Sequence, residues 1–216
     1  MSLRALLAEV DPGWLEDAGA PLDEDLVRRA RDSALGRRLL AGWLAGGPAA
    51  SLLAPDPVRG PDATRARWTR PRLQALCRDI GILAHAPPIR AEVRREPVRR
   101  LKAALGNSYL LALDRGVWEG RVPPDRLQAL SADFGGALYA ALSTDDPTPL
   151  FELFDRQGRA ELKAWARQRD PALADWCDLL HPPAADAATW LPEKPVLRVY
   201  THHESRAAQG RMESPA

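Results

Sequence analysis

The sequence predicts an all-α protein, an irregular bundle of about six to eight short helices joined by proline-punctuated loops. Three observations point that way. Ala, Leu and Arg, all good helix formers, dominate the composition. Aromatic residues make up only 6% of the 216, and seven of them are Trp, so little remains of the aromatic material that sheets favour. Apolar residues recur at helical spacing, most clearly between Leu73 and Ala84.

The elements follow in order. A first long helix is expected over about 23–44, with Asp23, Glu24 and Asp25 at its start, where negative charge is favoured. Leu26, Val27, Ala30, Ala34, Leu35 and Leu39 form its apolar face, and Gly46-Gly47-Pro48 ends it. A Pro/Gly-rich loop fills about 46–68. Thr69 and Pro71 open the clearest helix, with Leu73, Leu76, Cys77, Ile80, Leu83 and Ala84 on one stripe and Pro87-Pro88 as its stop. A short piece from Ile89 to Arg95 precedes a helix opened by Glu96-Pro97, whose face runs through Val98, Leu101 and Leu105 to Leu110, Leu111 and Leu113. Pro123-Pro124-Asp125 starts the next, with Leu127, Leu130, Phe134, Leu138 and Ala141 inward and Gly135-Gly136 suited to a close helix crossing. Two shorter runs, 150–154 and 160–165, and a last helix from Asp170-Pro171 to Leu180 complete the set. The expected organisation is one helical domain over 1–186 and an extended, partly disordered tail over 187–216.

The acids Glu9 and Asp11 interrupt the opening too early for a signal peptide, and no apolar stretch approaches the ~20 residues that span a bilayer. Cys77 and Cys177 are too few for a disulfide framework, so the expected location is the cytoplasm. The net charge of +1 hides an excess of eight positive charges over 59–102, balanced by acidic flanks. Arg90, Arg94, Arg95, Arg99 and Arg100 are the candidate partner-binding residues of that stretch. A solvated basic face, a dock for an acidic protein, and a nucleic-acid footprint are its possible readings, the last disfavoured by the absence of interleaved aromatics.

No phosphate loop, His-Glu-x-x-His or Cys-x-x-Cys motif is present, and no catalytic, metal or cofactor residues are assigned. Asp133-Phe134-Gly135 spells a kinase-like triplet inside a helical pattern and is read as coincidence. Cys177 and His181 are two ligands where zinc needs three or four, so a buried thiol near a helix end is expected. His202-His203-Glu204 is read as a solvated part of the tail. His85 is placed where it can bond the last carbonyls of its helix. Asp145-Asp146 before Pro147 is turn chemistry.

The run Leu73-Gln-Ala-Leu76-Cys77-Arg78-Asp-Ile80-Gly81-Ile-Leu83-Ala-His85, followed by Ile89-Arg90 and Val98-Arg-Arg-Leu101, resembles the YscK/SctK family, accessory proteins of bacterial type III secretion systems. The likeness extends loosely over 69–180, including Trp176-Cys177. It lacks the N-terminal Cys-Pro of some members, and Ala86-Pro87-Pro88 stands where others place Gly after the His. The resemblance implies a non-enzymatic cytosolic adaptor at the inner membrane, linking the ring protein SctD to the sorting-platform protein SctQ, which connects to SctN and SctL. Under it, Leu76, Cys77, Arg78, Gly81, Leu83 and His85 are architectural. The alternative is a nucleic-acid-associated helical protein binding through 59–102.

Overall fold

A computed structural model describes residues 2–16, 23–54 and 68–212, with residues 207–212 described by their backbone alone. Eleven α-helices and one 3-10 turn occur among the described residues, more than the six to eight expected. The all-α class stands. The 55–67 portion of the expected loop and residues 213–216 of the expected tail lie outside the described residues. The chain forms two compact units, each made from two separate stretches of sequence.

The first unit comprises Met1–Leu73 and Lys163–Asp186. Its helices are α1 (Leu3–Glu9), α2 (Glu24–Asp32) and α3 (Ala34–Ala45), with the 3-10 turn Pro12–Leu15 after α1. It also holds the first residues of α4 (Arg70–Ala84), the end of α9 (Thr148–Arg169) and all of α10 (Pro171–Leu179). The single helix expected over 23–44 is two helices. Ser33 is extended (φ −87°, ψ 146°), so it ends α2, and its hydroxyl accepts from Gly36 N at 2.9 Å to cap α3. The break re-aims the apolar face: Val27 is buried, but Leu26, Leu35 and Leu39 are exposed.

Long-range polar bonds tie α10 to the early chain within this unit. Trp14 Nε1 donates to the His181 carbonyl at 2.7 Å, and Asp11 N donates to Leu179 O at 2.8 Å. The Asp175 carboxylate accepts from Ser51 N and Leu52 N at 2.7 and 2.9 Å. Trp176 Nε1 reaches Trp68 O at 2.9 Å. Lys163, nearly fully buried, is neutralised by Asp178 and by Asp186. Cys177 lies buried in α10, as the thiol reading requires.

The second unit comprises Gln74–Leu162 and Ala187–Ala216. It contains most of α4 and α9, then α5 (Ala86–Ala91), α6 (Arg95–Leu105), α7 (Ser108–Leu113), α8 (Pro124–Thr144) and α11 (Glu193–Met212). Pro87 and Pro88 do not stop the chain in a loop. They sit in the first turn of α5, where a missing N–H costs nothing. Gly106, at φ 52°, ends α6, so the apolar face expected to run on to Leu113 is divided. Tyr109 and Ala112 face inward from α7 instead, and Leu110 and Leu113 face out.

Two further expectations are corrected. The runs at 150–154 and 160–165 belong to one helix, α9, because Gly158 between them is a packing contact and not a break. The segment expected as an extended tail carries α11, with Val196, Val199, Tyr200 and His203 buried.

Candidate functional site

The family-like motif lies on α4 and is built into a seam with α9 inside the second unit. A methyl added at Gly81 would sit 2.8 Å from Phe154 Cα and inside the contact distance of its carbonyl. A methyl at Gly158 would sit 2.7 Å from Gly81 N and 2.7 Å from the Cys77 carbonyl carbon. Each glycine thus admits the backbone of the other helix. The crossing expected at Gly135-Gly136 on α8 does not occur, since no atom lies within 4 Å of either position.

Side chains lock the seam on both sides of the glycines. Arg78 forms a two-pronged ion pair with Asp155, Nε to Oδ1 at 2.9 Å and Nη2 to Oδ2 at 2.7 Å, and stacks over Phe151 at 4.2 Å. Leu76, Leu83 and Cys77 are buried beside it. His85 meets the Phe154 ring edge-on at 5.4 Å and Trp190 at 6.2 Å. Its Nδ1 is 2.9 Å from Gly81 O, and because a carbonyl only accepts, Nδ1 carries the proton. Burial holds this imidazole at a pKa of about 4, so it is neutral at physiological pH.

Behind the seam, Glu161 is buried and its carboxyl is pushed above its ordinary range by that burial. It accepts from Trp190 N at 2.9 Å, Leu191 N at 3.2 Å and Gln157 Nε2 at 2.9 Å. The strap 187–192 is therefore fastened to α9, and Trp190 Nε1 donates to Ala84 O at 3.3 Å. His203, expected in a solvated tail, is buried on α11 with Nε2 2.8 Å from Asp79 Oδ2 on α4.

The five candidate arginines do not form one free basic patch. Arg90 is an internal clamp: Nε donates to Ala112 O at 2.6 Å, Nη2 to Trp118 O at 2.8 Å and Nη1 to Glu119 O at 2.9 Å. Arg94 pairs with Glu92, Arg99 with Glu96 at 2.8 Å, and Arg100 with Asp145. Arg95 alone of the five has no such partner among the described residues, and it is exposed. The Arg99–Glu96 pair is open to water on both sides, where an ion pair contributes little and exchanges readily. The exposed Arg94, in contrast, grips by two prongs a Glu92 side chain that is only 9% exposed. Arg95 and Arg99, and the exposed outer edge of Arg94, remain accessible to a carboxylate-bearing partner; Arg90 does not.

The remaining polar candidates are structural. Asp146 accepts from Thr148 N and Oγ1 at the head of α9, which holds its carboxyl below the usual range. Asp133-Phe134-Gly135 lies within α8 with Phe134 packed towards Phe154. No group of three metal-ligating side chains occurs among the described residues.

Sequence reasoning missed Phe154, Asp155, Gly158, Glu161 and Trp190, the partners that give the motif its surroundings. Only Gly158 left a trace, as a small residue in an otherwise helical run. It also missed the outward face of α3, where Leu35 and Leu39 are 69% and 67% exposed and Trp43 is 48% exposed. No helix among the described residues is long and apolar enough to cross a membrane. The chain matches no known family model, no curated protein and no solved structure.

Proposed function

We propose that this chain is a non-enzymatic adaptor of a bacterial type III secretion system, linking an SctD-like ring protein to an SctQ-like sorting-platform protein. One observation carries the reading. In the pattern that resembles the YscK/SctK family, Arg78, Gly81, His85 and the backbone of Cys77 meet α9 in a single helix seam, and Leu76, Cys77 and Leu83 are buried. A motif whose Gly receives a backbone, whose Arg is spent on Asp155 and whose His is buried and neutral supports a scaffold, not a site of turnover. Large apolar side chains left exposed on α3 and α7 further favour protein partners.

The test is reconstitution with the full chain. It should retain the cytoplasmic domain of the ring protein and the platform protein from the same secretion apparatus, separately and together. The triple variant Arg94→Glu, Arg95→Glu, Arg99→Glu should fold normally and hold the ring domain less well, because these exposed cations are the accessible part of the basic stretch. Retention of neither protein by the wild-type chain overturns the proposal; an unaltered triple variant removes the basic stretch from the ring contact.

A further inference from the structure

The outward face of α3 combines three features that the adaptor reading does not itself require. Leu35, Leu39 and Trp43 recur every fourth residue, so they form one exposed ridge along a helix of 12 residues, about 18 Å long. Gly42 lies beside that ridge with no atom within 4 Å of its Cβ position, leaving an open notch in the helix surface. Arg38 stands in line with the notch, one turn before Gly42 and beside the ridge, exposed.

The surrounding charges single out Arg38. On α2, Arg28 pairs with Asp25, Arg29 bonds Asp25 O and Arg31 bonds Val10 O. On α3, Arg37 is spent on the carbonyls of Arg31 and Asp32. Arg38 is the cation of these two helices with no hydrogen bond or ion pair among the described residues, and α3 has no acidic residue of its own. The face therefore offers an apolar ridge, a notch and one unspent positive charge.

We propose that this face is a docking surface for an amphipathic helix of a partner protein, one that places an apolar ridge in the notch and a carboxylate against Arg38. The inference deepens the adaptor reading and rests on it for the partner's biological identity. Charge favours an acidic partner over a second copy. An antiparallel pair of α3 helices centred on Leu39 would set Trp43 on Leu35, but it would also bring the two Arg38 side chains to the same flank beside the twofold axis. Like charges so placed repel, whereas an acidic helix answers them.

The probe is a synthetic amphipathic helical peptide with Leu at every third and fourth position and Glu on its flanks, together with a twin bearing Lys in place of Glu. The full chain should bind the Glu peptide and discriminate against the Lys twin. Leu39→Glu should weaken the Glu peptide by about tenfold or more, as for a central apolar anchor. Arg38→Glu, a change at an exposed position that leaves thermal unfolding unchanged, should reverse the preference towards the Lys twin. Failure to bind either peptide, equal affinity for both, or indifference to Leu39→Glu overturns the proposal. So does a homodimer in light scattering that Leu39→Glu abolishes, or binding of phosphatidylcholine–phosphatidylglycerol vesicles with the same sensitivity. The same variants tested against the ring and platform proteins separate the two readings. Peptide selectivity without partner capture leaves the surface and removes the adaptor; partner capture without peptide selectivity does the reverse.

Discussion

A methyl group added at Gly81 or Gly158 has nowhere to go, because the opposing atoms are backbone of a neighbouring helix and not the end of a flexible side chain. Gly81→Ala and Gly158→Ala should each cost about 3 kcal/mol or more, read as a lower urea midpoint. Gly135→Ala and Gly136→Ala face open space on α8 and should stabilise by up to about 1 kcal/mol each, through helix propensity alone. The same residue type thus gives opposite signs in one protein. His85 adds a pH dependence. Its folded-state pKa of about 4 lies below the ordinary 6.5, so between those values the unfolded chain takes up a proton that the folded chain refuses. The contribution is complete above pH 6.5 and is lost as pH falls towards 4, by about 3 kcal/mol in all. Buried Glu161, shifted upwards, contributes with the opposite sign. Denaturation of wild type and His85→Phe across that range isolates the His85 share; parallel curves would show that the imidazole does not titrate there.

At the scale of elements, the strap 187–192 shows why a sequence conceals some structure. Nothing in Ala187-Ala188-Thr189-Trp190 has helical or strand periodicity, yet one carboxylate on α9 fixes the strap by two backbone N–H groups. Glu161→Ala should cost about 1.5–3 kcal/mol, the range for hydrogen bonds to a charged group, and should raise amide exchange in α11, which the strap leads into. Unaltered exchange there would mean that α11 is held by its own buried Val196, Val199 and Tyr200. The helices with continuous periodicity, α4 and α8, were legible almost to their ends, including the inward Leu130, Phe134, Leu138 and Ala141, but Leu127, expected inward in the first turn of α8, is exposed. The break at Ser33 was not legible, because the local apolar spacing on either side of it is consistent with one helix. Nor were the partners of the motif, since Arg78 and Asp155 are 77 residues apart and nothing local pairs them.

The whole molecule is organised discontinuously. Each unit is closed by a late stretch of chain, so the boundary expected at 186 divides the second unit instead of trimming a tail. A chain ending at Asp186 would lack α11 and the strap, leaving Glu161 buried without its two backbone donors and Asp79 without His203. Amide protection within Gln74–Leu162 should fall sharply in that shortened protein, and full retention would show that α11 is dispensable. The composition reads differently at this scale too. The basic excess over 59–102 is already net of Glu92 and Glu96; Asp155 and Asp145 from outside the stretch pair with Arg78 and Arg100, and Arg90 is held by backbone carbonyls. Charge counted along a sequence overstates the charge a partner meets.

The discontinuity of the first unit also bears on how the protein is made. Its early helices leave the ribosome long before Asp175, Trp176 and Leu179, which bond Ser51, Leu52, Trp68 and Asp11. At ~5–20 residues per second, the interval between Leu73 and Asp186 is roughly ten seconds. Throughout it, the nascent N-terminal segment lacks the helix that completes it, and any translational arrest before that helix emerges yields a product fit for a chaperone or a protease.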